Sequence, residues 1–90
     1  MKEIQVKVSN RNGMHLRLAG ELVKNTSRFS SDIHIIKNGE EVNAKSILSV
    51  AGLGAGYGTE LRIRADGEDE DDALKQLKKL FDTGFSEGQQ

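Results

Sequence analysis

The chain contains no cysteine, which removes disulfides, thiol nucleophiles and thiolate metal sites together and fits a reducing compartment. Long apolar runs are missing as well. The least polar stretch, 47–55, is broken by Gly52 and Gly54 and falls well short of the roughly 18–20 apolar residues of a membrane helix. Nor does one charge dominate: 13 Lys and Arg stand against 14 Asp and Glu, a net charge of −1, so no general field for nucleic acid is expected. Met1-Lys2-Glu3-Ile4-Gln5 is charged from the start and lacks the apolar centre of a secretory signal. A cytoplasmic protein with no membrane insertion is expected.

The 90 residues suit a single small domain with one core, expected over 1–85 with 86–90 as a short flexible tail. Ile4, Val6 and Val8 alternate with polar residues, the period of a strand with one buried face, and predict a strand over 2–8. Turn residues follow at 9–13. Leu18, Ala19, Leu22, Val23 and Thr26 then form one stripe at helical spacing, predicting a helix over 16–27. Segments 32–37 and 40–43 flank Asn38-Gly39, the pair best suited to the positive φ angles of a tight hairpin. A short capped helix over 46–51, a strand over 59–65 and a last helix complete the order.

That last helix opens with four acids, Asp69 to Asp72, which capping and the helix dipole explain. Its stripe is Ala73, Leu74, Leu77, Leu80 and Phe81, with Gly84 as its stop. One antiparallel sheet with helices on a single face accounts for the element order and for the one-sided strand patterning.

His15 and Arg17 sit where the first loop turns into a helix. Unpaired backbone N–H groups and the positive end of the dipole suit that place to phosphate, and an arginine adds a planar fork of donors. Other motifs fail on inspection. The glycines of 52–58 never spell a dinucleotide fingerprint, and 39–46 has Ala44 where a P-loop needs its second glycine. Only His15 and His34 exist, neither at a ligand spacing with a carboxylate, so no metal and no cofactor are expected. His34 alternates with Ile33 and Ile35 and is expected on the face away from the core.

The segment Gly13-Met14-His15-Leu16-Arg17-Leu18-Ala19, with Asn43-Ala44-Lys45-Ser46-Ile47-Leu48 followed by Leu53-Gly54, resembles the histidine-containing phosphocarrier (HPr) family of the bacterial phosphoenolpyruvate-dependent sugar phosphotransferase system. The start of the last helix at 69–74 is similar too, so the resemblance covers nearly the whole chain. It implies an α+β open-faced β-sandwich, four antiparallel strands covered on one face by three helices. By that resemblance His15 accepts a phosphoryl group on Nδ1 from phosphorylated Enzyme I and passes it to an enzyme IIA. Arg17 and the backbone N–H groups of Leu16 and Arg17 would hold the phosphate.

Ser46 corresponds to the site of an HPr kinase/phosphorylase, and on local grounds is also the N-cap of the short helix. Gly20, Lys24, Ile47, Leu48 and Ala51 correspond to the partner-facing surface. The resemblance thus implies a monomeric carrier, not an enzyme with its own turnover. Two positions depart from the family pattern. Leu18 replaces a proline, which removes a φ restriction from the first turn and loosens the histidine loop, and Leu16 replaces a small residue and alters how partners approach. A regulatory module acting through Ser46, a nitrogen-type phosphotransferase paralogue and an unrelated anion-binding module are the alternatives that these residues leave open.

Overall fold

The computed structural model describes residues 1–86. The elements run β1 (Lys2–Lys7), α1 (Leu16–Thr26), β2 (Asp32–Lys37), β3 (Glu40–Asn43), α2 (Ile47–Gly52), β4 (Glu60–Asp66) and α3 (Glu70–Asp82), followed by a 3-10 turn (Gly84–Ser86). Residues 87–90, most of the expected tail, lie outside the described part.

The four strands form one sheet in the order β1-β4-β2-β3, antiparallel throughout. β4 therefore lies between β1 and β2, and two strand–helix–strand crossovers interleave. Register fixes the faces. Ile4, Ile63, Ile35 and Val42 align across the sheet on the inner side, where Val6, Val8, Ile33, Leu61 and Ala65 are also buried. Leu18, Ala19 and Leu22 of α1, Val50 of α2 and Ala73, Leu74, Leu77 and Phe81 of α3 join the same core. Each apolar stripe is thus covered within one chain, as the layer rule requires.

The opposite face carries no helix. There Arg64 bridges Glu3 and Glu41 at 2.9 Å each, and His34 is half-exposed with Nδ1 4.0 Å from Glu41, on the outer face as expected. Exposed pairs of this kind stabilise by about 0–1 kcal/mol each, so the fold is held by its inner face.

Several boundaries shift by a residue, each for a local reason. Val8 lies beyond the end of β1, yet its N–H donates to Thr59 and its C=O accepts from Gly58, at 2.9 and 2.8 Å. α1 ends at Thr26 with Ser27 as its C-cap. The 38–39 turn has φ angles of 48° and 86°, the left-handed pair that joins two twisted strands tightly.

The acidic start of α3 departs from the simple capping expectation. Asp69 makes no side-chain cap to its own helix. Its carboxylate instead accepts the N–H groups of Ser30 and Ser31, at 2.8 and 2.9 Å, and the Ser31 hydroxyl. Glu70 accepts the Gly67 N–H at 3.1 Å, and Asp71 pairs with Lys2 at 2.6 Å. These acids join α3 to the turn before β2 and to β1, because those segments bring unpaired amides and an ammonium to the helix end.

Candidate functional site

His15 occupies the N-cap of α1, with φ −77° and ψ 176° and no side-chain cap bond. Its backbone C=O accepts the Ala19 N–H at 2.9 Å and so starts the helical ladder. The ring is half-exposed, and Leu16 and Arg17 on the first turn are exposed. The first turn of a helix directs its backbone N–H groups toward the helix start, where an anion is favoured. The start of α1 thus carries a half-exposed histidine and, two residues on, an exposed arginine, the residue types that stabilise a phosphoryl group at a helix N-terminus.

The loop before it is strapped down. Gly13 adopts φ +71°, and a Cβ there would lie 2.7 Å from the Ala55 oxygen and 2.9 Å from Gly56 Cα, so only glycine fits. The Met14 N–H donates to the Ala55 C=O at 2.7 Å. The Leu18 side chain, where the family pattern has a proline, is 1% exposed and part of the core. Packing anchors the first turn at the position where the ring restriction is missing.

The second motif is fastened to the far end of α1. Buried Thr26 donates its hydroxyl to the Ala44 C=O at 2.8 Å, and Lys45 Nζ donates to the Phe29 C=O at 2.7 Å. Asn43 Oδ1 accepts the Lys45 N–H at 2.9 Å. Ser46 then caps α2, its Oγ accepting the Ser49 N–H at 3.4 Å, the structural role expected of it.

α1 packs on α2, and their first turns carry three exposed large apolar side chains, Leu16 at 60%, Ile47 at 41% and Leu48 at 79%. Exposed apolar side chains of this size are candidates for contact with a partner. Lys24 is exposed and Gly20 half-buried; nothing in the chain lies within 4 Å of a Cβ added at Gly20, so internal packing does not demand that glycine. Ala51 is turned partly into the core and offers less surface than its helix neighbours.

Among the described residues no three His, Asp or Glu side chains converge as a metal site would require. A cleft of about 390 Å³ between Gln5, Ile36, Asn38, Glu60 and Arg62 opens on the helix-free face, away from His15. Sequence reasoning passed over Tyr57, 69% exposed beside the segment that backs the His15 loop, and Asn10, which it took for an ordinary turn residue. Asn10 is buried, and no local pattern signals that.

Comparison with known proteins agrees with this geometry. The family model described as "PTS HPr component phosphorylation site" matches residues 2–83. The phosphocarrier protein HPr of Xylella fastidiosa (strain Temecula1) is 44% identical over 87 residues, covering 97% of this chain and 98% of that protein. Among solved structures, HPr-C-His from Thermoanaerobacter tengcongensis superposes with a TM-score of 0.92 at 39% identity, covering 97% of this chain and 98% of its own. Crh, the Bacillus subtilis catabolite repression protein, whose structure is a dimer with a swapped domain, superposes at 0.75 with 37% identity, covering 93% and 97%. With a family match over residues 2–83 and a relative 44% identical over nearly the full length of both chains, the chain belongs to the HPr phosphocarrier family of the phosphotransferase system.

Proposed function

We propose that this chain is a cytoplasmic phosphoryl carrier in which Nδ1 of His15 takes a phosphoryl group from phosphorylated Enzyme I and yields it to an enzyme IIA. The observation that carries this reading is the half-exposed His15 at the N-cap of α1, with Arg17 in the first turn. In the forward step the Nδ1 lone pair forms the new N–P bond while the N–P bond on Enzyme I breaks, its electron pair returning to the donor imidazole. Transfer to enzyme IIA repeats the exchange with His15 as the leaving group. Arg17 and the amides of Leu16 and Arg17 compensate the charge on the equatorial oxygens. An open helix end does so reversibly, which a carrier needs.

Leu16, Ile47 and Leu48, flanked by Gly20, Lys24 and Ala51, form the surface on which both partners dock in this reading. A monomer is the acting form in this reading, supported by the one core that the sheet and all three helices build within a single chain. Ser46 is the proposed regulatory site for an HPr kinase/phosphorylase, since a phosphate at the start of α2 meets the favourable end of the helix. The likeness to Crh favours a second reading in which regulation through Ser46 is the main role.

One labelling experiment separates the two. With phosphoenolpyruvate, Mg²⁺ and Enzyme I from the same organism, intact mass is expected to show one acid-labile phosphate, absent in His15→Ala; no labelling of the parent would refute the carrier. With ATP and the cognate kinase, acid-stable phosphate is expected and is lost in Ser46→Ala. Labelling by the kinase alone would leave only the regulatory reading.

A further inference from the structure

We infer that Asn10 is a positioning residue for phosphoryl transfer at His15, an inference that rests on His15 being the acceptor. Asn10 is 1% exposed, although Ser9, Arg11 and Asn12 beside it are exposed. Its C=O accepts the Gly13 N–H at 3.0 Å, and its Nδ2 donates to the Gly13 C=O at 3.4 Å. That same carbonyl accepts the His15 N–H at 3.0 Å. One buried side chain and its own backbone therefore grip Gly13 on both sides, and the His15 amide hangs from the gripped carbonyl. The Met14 N–H to Ala55 bond ties the turn to the rest of the fold.

The remaining atom is the informative one. Asn10 Oδ1 is buried with no hydrogen-bond partner among the described residues. Turning the amide over would set Oδ1 against the Gly13 carbonyl, two acceptors face to face, so the donor orientation is the favoured one. A buried acceptor without a donor opposes folding, and an apolar side chain of the same branched shape would avoid that cost. The chain keeps at this position a side chain whose one buried acceptor is unpaired among the described residues, and the hydrogen bond it makes goes to the turn carrying His15. Stability does not account for that choice. Fixing where the imidazole sits does, as with other local strain held at functional sites.

The test uses Asn10→Leu, which keeps the branched shape and removes both the donor and the orphan acceptor. Two phosphoryl donors are compared, phosphorylated Enzyme I and phosphoramidate. In the second, His15 Nδ1 forms the new bond to phosphorus, the P–N bond of phosphoramidate breaks and its nitrogen leaves as ammonia; no partner protein is involved. The saturating rate is expected to fall about tenfold with both donors, in the range that a modest misorientation of a reacting group costs. The half-saturating concentration of Enzyme I and the urea midpoint are expected to stay level, or the midpoint to rise. Asn10→Ser, with a donor on a shorter arm, is expected to regain part of the rate, and Asn10→Ala serves as its reference if the leucine variant does not fold.

A folded leucine or alanine variant with the parent's rates overturns the positioning role and leaves the carrier reading standing. So does a rate loss that only tracks a loss of stability. A parent that takes phosphate from neither donor overturns both readings at once.

Discussion

The carboxylate of Asp69 is held by three donors from one turn, the Ser31 hydroxyl first and then the Ser30 and Ser31 amides, and these pull its pKa from 3.8 to about 2. A carboxyl group whose pKa falls on folding adds stability that is complete above its unfolded value and vanishes as pH drops through its folded value. The chain is therefore expected to lose stability as pH falls from 3.8 to about 2. Glu70, lowered by the Gly67 amide and then by the N-terminal ammonium, acts in the same direction. Asp69→Asn is expected to lower the unfolding free energy at neutral pH and to flatten that acid limb. Urea titrations at neutral pH and across the window measure both, and a limb as steep in the variant as in the parent would assign the loss to other carboxylates. The sequence shows an acid at a helix start and nothing more, because Ser30 and Ser31 lie 39 and 38 positions away. Asn10 was hidden for the same reason: burial of a polar turn residue is decided by what packs over it, and no local periodicity encodes that.

At the scale of elements much more was legible. Strands and helices here are amphipathic, so a period of two or 3.6 residues names them in order, and Asn38-Gly39 sets the hairpin register without help from the core. Element ends were less legible: the alternation runs through Val8, and Val8 still bonds Thr59 and Gly58, yet the regular ladder of β1 with β4 stops at Lys7 and Glu60. Lys37 shows the limit of a pure pattern. It occupies the inward parity of β2, with Ile33 and Ile35, yet it is charged. The structure resolves the conflict by sending Nζ to the Leu53 C=O at 2.8 Å, at the C-cap of α2. A helix of six residues has little stability of its own, so an outside donor at its last carbonyls counts. Lys37→Met keeps most of the stem and deletes that bond, and is expected to destabilise by about 1.5–3 kcal/mol. Amide exchange at 50–54 is expected to quicken more than in the sheet. Unchanged exchange there would mean that α2 is anchored by its buried Val50 alone.

The strand order β1-β4-β2-β3 is a property of the whole molecule, since it pairs segments about sixty residues apart, and local patterning does not contain it; the family resemblance supplied four antiparallel strands under three helices. The same holds for the site. α1 and α2, distant in sequence, pack together only because both crossovers lie on one face of the sheet, which brings the segment after α2 to the His15 loop through the Met14–Ala55 bond. His15 thereby stands at the edge of the helical layer, tied inward through Gly13, Met14 and Leu18, while the sheet closes its own core behind. In the proposed carrier, a phosphoryl group on this half-exposed residue adds its charge at the solvent side of a helix N-terminus, not in the core. Phosphorylation of His15 is therefore expected to shift backbone amide resonances in 10–20 and, through the Met14–Ala55 bond, in 54–57. The exchange rates of Ile33, Ile35 and Ile63 in the sheet are expected to stay as they were. Comparing amide spectra before and after phosphorylation tests this directly. Shifts reaching Arg64 and His34 on the helix-free face would mean that the layers move together. Shifts confined to 10–20 and 54–57 would mean that the response to phosphate stays within the His15 loop, the first turns of α1 and the segment bonded to them, and leaves the sheet unmoved.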